Sequence, residues 1–191
     1  MGEANALSVE DCNTAVKTGW YSFAYNSINK PEHIDYGVIF PISRLESSNA
    51  KEIVQIAIGC GNGASVSSIK NRITATRSTE DGITWSEWEY FNPPMVLGVE
   101  YRTTERWLGK PVYTTLLNIG DLPNNSTKNF GLSGITSVIR YAGATSTGTN
   151  IPNTYGGEVT NVQISKQNIS VETNYDASAS TGYFTLWYTK D

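Results

Sequence analysis

The only histidine in this 191-residue chain is His33, inside Pro31-Glu32-His33-Ile34-Asp35. A serine or cysteine nucleophile would need it as general base. No G-x-S-x-G elbow and no H-E-x-x-H helix accompanies it. His33 therefore reads as a surface turn residue. One histidine and two cysteines, Cys12 and Cys60, offer no zinc spacing. Glu32, Asp35 and Glu46 are too scattered for a calcium loop. No metal and no cofactor is expected. Paired carboxylates remain. Glu87 and Glu89 flank Trp88, and on a strand they would share a face about 6.5–7 Å apart. Glycoside cleavage tolerates that spacing. Glu-x-Glu on a strand is more often a solvated face, and the chain is read as non-catalytic.

Binding without turnover suits the residue types better. Sugars present apolar C–H faces that stack on indole and phenol rings, and hydroxyls that pair with amides and carboxylates. On a strand, Trp85 and Trp88 point to opposite faces, which puts only one of them in a core. Rigid β scaffolds display recognition loops at their ends. Three polar stretches, 121–129, 144–157 and 174–182, are loops by composition. The candidate ligand-binding residues are Trp88, Tyr141, Asn153, Tyr155, Asn174, Tyr175 and Asp176. Each aromatic also has a plain reading as core, and each loop amide as solvated surface.

Composition narrows the partners. Net charge is −4 and 17% of residues are charged. The basic excess that nucleic acid or an acidic membrane attracts is missing. No run approaches the ~20 apolar residues of a membrane span. The start, MGEANALSVEDC, has no basic n-region and no apolar h-region, so no signal peptide is expected. Cys12 and Cys60 can pair, but they form no disulfide framework and read as two buried thiols.

The elements that must position these residues are strands. Only residues 4–15 hint at a helix. Beyond them, period-2 alternation dominates. Strands are expected over 36–42, 52–60, 72–78 and 83–91, with the Asp81-Gly82 pair turning the last two into a hairpin. Pro93, Pro94 and Gly98 close the first half. Further strands are expected over 99–104, 112–119 and 134–143, with Ile135, Ile139 and Tyr141 on one face. A hairpin over 158–174 turns near Lys166–Asn168, and a last strand covers 183–190. This is an all-β chain of antiparallel sheets packed as a sandwich. Both faces of Val112–Ile119 are half apolar; either one meets the sandwich and the other a neighbouring subunit, or the core of a single domain explains the pattern equally well.

Two resemblances add to this. Residues 12–92 carry Gly19, Trp20, Tyr21, Asn29, Pro31, Gly37, Gln55, Arg77, Trp85 and Trp88 in an order that resembles the knob domain of R-type pyocin tail fibres and related phage fibres. Residues 99–191 carry Trp107-Leu108-Gly109-Lys110-Pro111-Val112-Tyr113, the Ile151-Pro152 pair and a Tyr-Thr-Lys close. These resemble the terminal β-sandwich of tail and head fibre proteins of Gram-positive phages. The copy here is one residue shorter between Trp and Gly, and Leu132-Ser133 stand where that group often has a histidine. The resemblance implies a knob-like β domain over 1–94, a neck over 95–115 and a terminal β-sandwich over 116–191. It implies a homotrimer, joined to other virion fibre or tail proteins, that adsorbs to a bacterial cell-wall or capsular polysaccharide. Such a protein is made in the host cytoplasm and works outside the cell as part of a virion. A trimerising head fibre or fibre cap without a ligand is the alternative, and a polysaccharide-cleaving tip is the second.

Overall fold

The computed structural model describes residues 6–45, 51–60 and 72–191; Glu46 lies outside them. The fold is all-β and divides into two units, Met1–Pro94 and Met95–Asp191. The suspected N-terminal helix is a two-residue strand and one 3-10 turn, Cys12–Thr14. Leu7, Val9 and Cys12 fit no helical stripe, and the Asp11 carboxylate accepts from the Asn13 amide at 2.8 Å and ends the extended chain there.

The first unit is one sheet: β1 (Leu7–Ser8), β2 (Tyr21–Phe23), β3 (Gly37–Leu45), β4 (Lys51–Gly59), β5 (Thr74–Thr79) and β6 (Glu89–Tyr90), each paired with the next. Its inner face buries Ile39, Ile53, Gln55, Ala57, Ala75 and Arg77. Its outer face is also apolar: Val38, Phe40, Ile42, Val54, Ile56 and Ile58. Ile42, Val54 and Ile58 are exposed there, and Trp20 lies over Phe40 with centroids 4.8 Å apart.

Gln55 is 0% exposed. Its Nε2 donates to the carbonyls of Cys12 at 2.7 Å and Ala15 at 2.9 Å, and its Oε1 accepts from Arg77 Nε at 2.9 Å. The Arg77 guanidinium lies 4.5 Å from the Trp85 ring centre and 4.4 Å from that of Trp88. Both indoles therefore serve one cation, and the expected strand over 83–91 shrinks to β6. The Asp81-Gly82 turn is present. Asp81 Oδ1 accepts from the amides of Ile83 and Thr84 at 2.7 Å, bonds that hold its carboxyl well below the usual range. Glu89 is in β6 but Glu87 is in no strand, so alternation does not place the two carboxylates on one face.

The second unit has two sheets. The first runs β7 (Glu100–Trp107), β8 (Lys110–Asp121), β15 (Thr181–Thr189), β10 (Ser137–Thr145), β11 (Asn150–Ile151) in spatial order. The second runs β12 (Asn153–Tyr155), β13 (Glu158–Ile164), β14 (Asn168–Thr173), β9 (Thr127–Gly131). All these pairings are antiparallel. Between the sheets lie Ile119, Leu122, Ile151, Ile169, Val171, Phe184, Leu186 and Tyr188, with Tyr113, Leu117, Phe130, Val162 and Tyr175 against them. Residues 95–115 contribute β7 and the start of β8. Their turn is Leu108-Gly109, at φ 50° and 80°. Pro111 already belongs to β8, opposite Arg106. Val112 and Thr114 are buried within this one chain, and Leu117 and Ile119 pack in the core, while Leu116 is half-buried and Asn118 exposed.

Both cysteines are free. Cys12 is buried and Cys60 exposed, which corrects the reading of two buried thiols. Cys60 follows the last residue of β4, beyond the alternation that buries Ala57 and Gly59. Burial above all pushes the Cys12 thiol up to about 11. In native protein a maleimide should label Cys60 readily and Cys12 only after denaturant is added; rapid labelling of both would contradict this packing. Gln55→Leu removes a partner from two buried carbonyls and a buried cation. It should lower unfolding free energy by about 3 kcal/mol, read by tryptophan fluorescence in urea, and an unchanged midpoint would count against the network.

Candidate functional site

The sequence candidates separate by unit. Trp88 is in the first unit, half-buried. One face of its ring meets Arg77, and its Nε1 donates to the Asn29 carbonyl at 3.1 Å. Those contacts give it a structural task. The other six candidates are in the second unit.

Tyr141 is in β10, opposite Leu186, at 36% exposure and with its ring 6.3 Å from Phe184. A bulge between Val138 and Arg140 shifts the register. Val138 pairs with Tyr188 and Tyr141 with Leu186, so Val138 shares the inward face with Tyr141 and the expected Ile139 does not. Arg140 faces the other way, over Trp187 at 4.6 Å, and bonds Glu105 at 2.6 Å.

Asn153, Tyr155, Asn174, Tyr175 and Asp176 gather at one end of the second sheet. The stretch 144–157 is not one loop, because β11 and β12 occupy part of it. A cis Ile151-Pro152 peptide lies between these two strands. Asn153 pairs with Thr160, and Thr160 with Thr173. Asn174 clips the turn that follows β12. Its Nδ2 donates to the Gly157 carbonyl at 2.9 Å, and its Oδ1 accepts from the Val159 amide at 2.7 Å. The Tyr175 hydroxyl meets Thr160 Oγ1 at 3.1 Å while its ring packs on the core. Asp176 Oδ1 accepts from the Ser178 hydroxyl at 2.6 Å and amide at 3.0 Å, and these bonds hold its carboxyl below the usual value.

The loops at 122–126 and 174–180 are bonded to each other. The Asn125 amide donates to the Tyr175 carbonyl at 2.8 Å and the Thr173 hydroxyl to the Pro123 carbonyl at 2.9 Å. The side chains of Asn174, Tyr175 and Asp176 are spent elsewhere: on the turn after β12, on Thr160 and on Ser178.

Tyr155 differs. It ends β12 just before Gly156 and Gly157, which have φ 59° and 89°. The paired Asn153–Tyr155 and Glu158–Thr160 segments hold the turn, and the ring is 80% exposed. Leu108 also projects, 89% exposed at a φ more usual for glycine or asparagine, as does Ile83 in the first unit at 80%. Among the described residues no three His, Cys, Asp or Glu side chains gather to hold a metal, and no helix is long and apolar enough to cross a membrane.

No protein-family model and no curated protein matches the chain. It is similar to solved pyocin fibres. One is an N-truncated R2-type pyocin tail fibre, 11% identical, with 92% of this chain and 93% of that chain covered and a TM-score of 0.31. A P. aeruginosa R2 pyocin fibre fragment is 12% identical, with 92% and 64% covered and a TM-score of 0.28. A P. aeruginosa R1 pyocin fibre fragment is 11% identical, with 94% and 66% covered and a TM-score of 0.30. At these values no residue's role carries across.

The geometry separates clip from platform. Asn174→Ala should cost about 1–2 kcal/mol of stability through its two side-chain bonds. Tyr155→Ala should stay within about 0.5 kcal/mol of the parent. Urea denaturation of both variants measures the difference, and the reverse order would overturn the assignment.

Proposed function

We propose that the chain is an adsorption module of a phage-type fibre whose second unit binds a bacterial cell-wall or capsular polysaccharide without cleaving it. The observation that carries this reading is Tyr155. Its phenol ring is 80% exposed and held out on a short paired hairpin. Such a ring gives a sugar a face to stack on, and its rigid support limits the ordering entropy lost on binding. The sequence resemblance to phage fibre tips points the same way. On this reading the module is a homotrimer, joined to other virion fibre or tail proteins and acting outside the cell at the host surface. Much of the Val112–Ile119 run is buried within one chain, which leaves Leu116 and Asn118 as its more open positions.

One observation favours a second reading, a structural trimerising head-fibre or cap module. The outer face of the first unit's sheet is apolar, with Ile42, Val54 and Ile58 exposed. Exposed apolar faces mark contacts.

An array of bacterial surface polysaccharides, probed with the parent chain and with Tyr155→Ala, decides between the two. Specific retention that Tyr155→Ala weakens, with the glycan recovered unshortened, is the expected result. Retention with shortened product would mean cleavage. No retention of a folded chain would leave the structural reading.

A further inference from the structure

The outward side of the sheet that carries Tyr155 has an unusual composition. Its inward side is apolar, with Phe130, Val162, Ile164, Ile169 and Val171 at the core. Alternation turns the intervening residues outward, and the register lines them up in rows. One row is Asn129, Ser170, Gln163; the next is Thr127, Glu172, Asn161. Rows are about 7 Å apart and neighbours within a row about 4.8 Å. Asn129, Thr127, Asn161, Gln163 and Glu172 are exposed and Ser170 is half-exposed. Thr154 of β12 continues the face and pairs with Val159, whereas its neighbour Tyr155 pairs with Glu158 and alternates to the other side.

Solvated sheet faces commonly mix lysine, arginine and glutamate. This one shows a single carboxylate and no cation. Lys128, the one lysine in these four strands, turns to the other side and donates to the Asp121 carbonyl at 2.6 Å. Amides and hydroxyls each offer donors and acceptors, and they lose less than charges do on leaving water. Their natural partner is a surface dense in hydroxyls. The lone carboxylate, with no cation beside it, disfavours phosphate-bearing polymers. The lack of aromatic or large apolar side chains in these rows disfavours a protein partner, whose anchors need them.

We propose that the outward face of β9, β14, β13 and β12 is a docking bed for an extended neutral polysaccharide. The chain lies across the strands on the two rows. This rests on the glycan-binding reading and specifies its ligand class and footprint.

Electrophoresis through gels containing dextran or purified neutral wall polysaccharides, beside gels containing polyglycerol phosphate, tests it. The parent, Tyr155→Ala and the double variant Asn161→Ala with Gln163→Ala are compared, with urea midpoints confirming the fold. The expected result is retardation by at least one neutral polymer, weakened about tenfold in the double variant through two lost hydrogen bonds. Amide shifts of β13 and β14 on adding that polymer supply evidence without any substitution. Equal retardation of parent and double variant, with no such shifts, overturns the bed and leaves glycan binding standing elsewhere. Retardation by polyglycerol phosphate alone overturns the neutral class. No retardation by any polymer sinks the glycan reading and the bed together.

Discussion

A buried cation organises the first unit. Arg77 is almost fully buried in an inner face made otherwise of Ile39, Ile53, Ala57 and Ala75. Burying a guanidinium without a counter-charge is expensive, and burial lowers its pKa to about 10. Among the described residues no carboxylate is hydrogen-bonded to it, and the charge of Asp11 acts on it only through space. Two indole faces and the Gln55 carbonyl take that place. Desolvated cation–π contacts contribute on the order of 2 kcal/mol each. Gln55 relays the interaction by holding the Cys12–Ala15 turn with both protons of its amide. Four stretches far apart in sequence are thus tied at one point: the 3-10 turn, β4, β5 and the segment before β6.

The second unit relies on a central strand. β15 pairs with β8 on one side and β10 on the other, and it supplies Phe184, Leu186 and Tyr188 to the core. The Tyr188 hydroxyl also reaches Glu100, which Lys190 bonds as well. Against this rigid layer the second sheet keeps an apolar side inward and a polar, nearly uncharged side outward. Tyr155 is held at the rim by a turn that Asn174 clips. Support and ring belong to separate residues, so the ring can change without loosening what holds it.

Much of this was readable from sequence. Alternation marked β3, β4, β5, β8, β13, β14 and β15 because each buries every second residue. The Asp81-Gly82 turn and the hairpin near Lys166 followed from local chemistry. What failed was non-local. Trp85 and Trp88 were assigned by strand alternation to opposite faces, but Arg77 gathers both and removes the strand. β11 and β12 are too short to show a period, so Asn153 and Tyr155 looked like loop residues. The bulge after Val138 misplaced Ile139. Asn174 and Asp176 have the side chains of ligand contacts, yet turn closure uses the same groups, and only the positions of Gly157, Val159 and Ser178 distinguish the two. Tyr155 was legible as a candidate, but its support was not.

Position along the chain and position in space run in opposite orders in the second unit. β15 is the last of its strands to be synthesised and the middle one of its larger sheet. While residue 189 is still inside the ribosome, β8 and β10 have their hydrogen-bonding edges open and no strand between them. Local hairpins such as β13–β14 can form early, but the sandwich closes only in one late, long-range step. A nascent chain therefore carries two unpaired strand edges past every neighbour on a polysome before it can pair them. Spacing between ribosomes, and not only the finished fold, bears on how much of this protein is recovered intact.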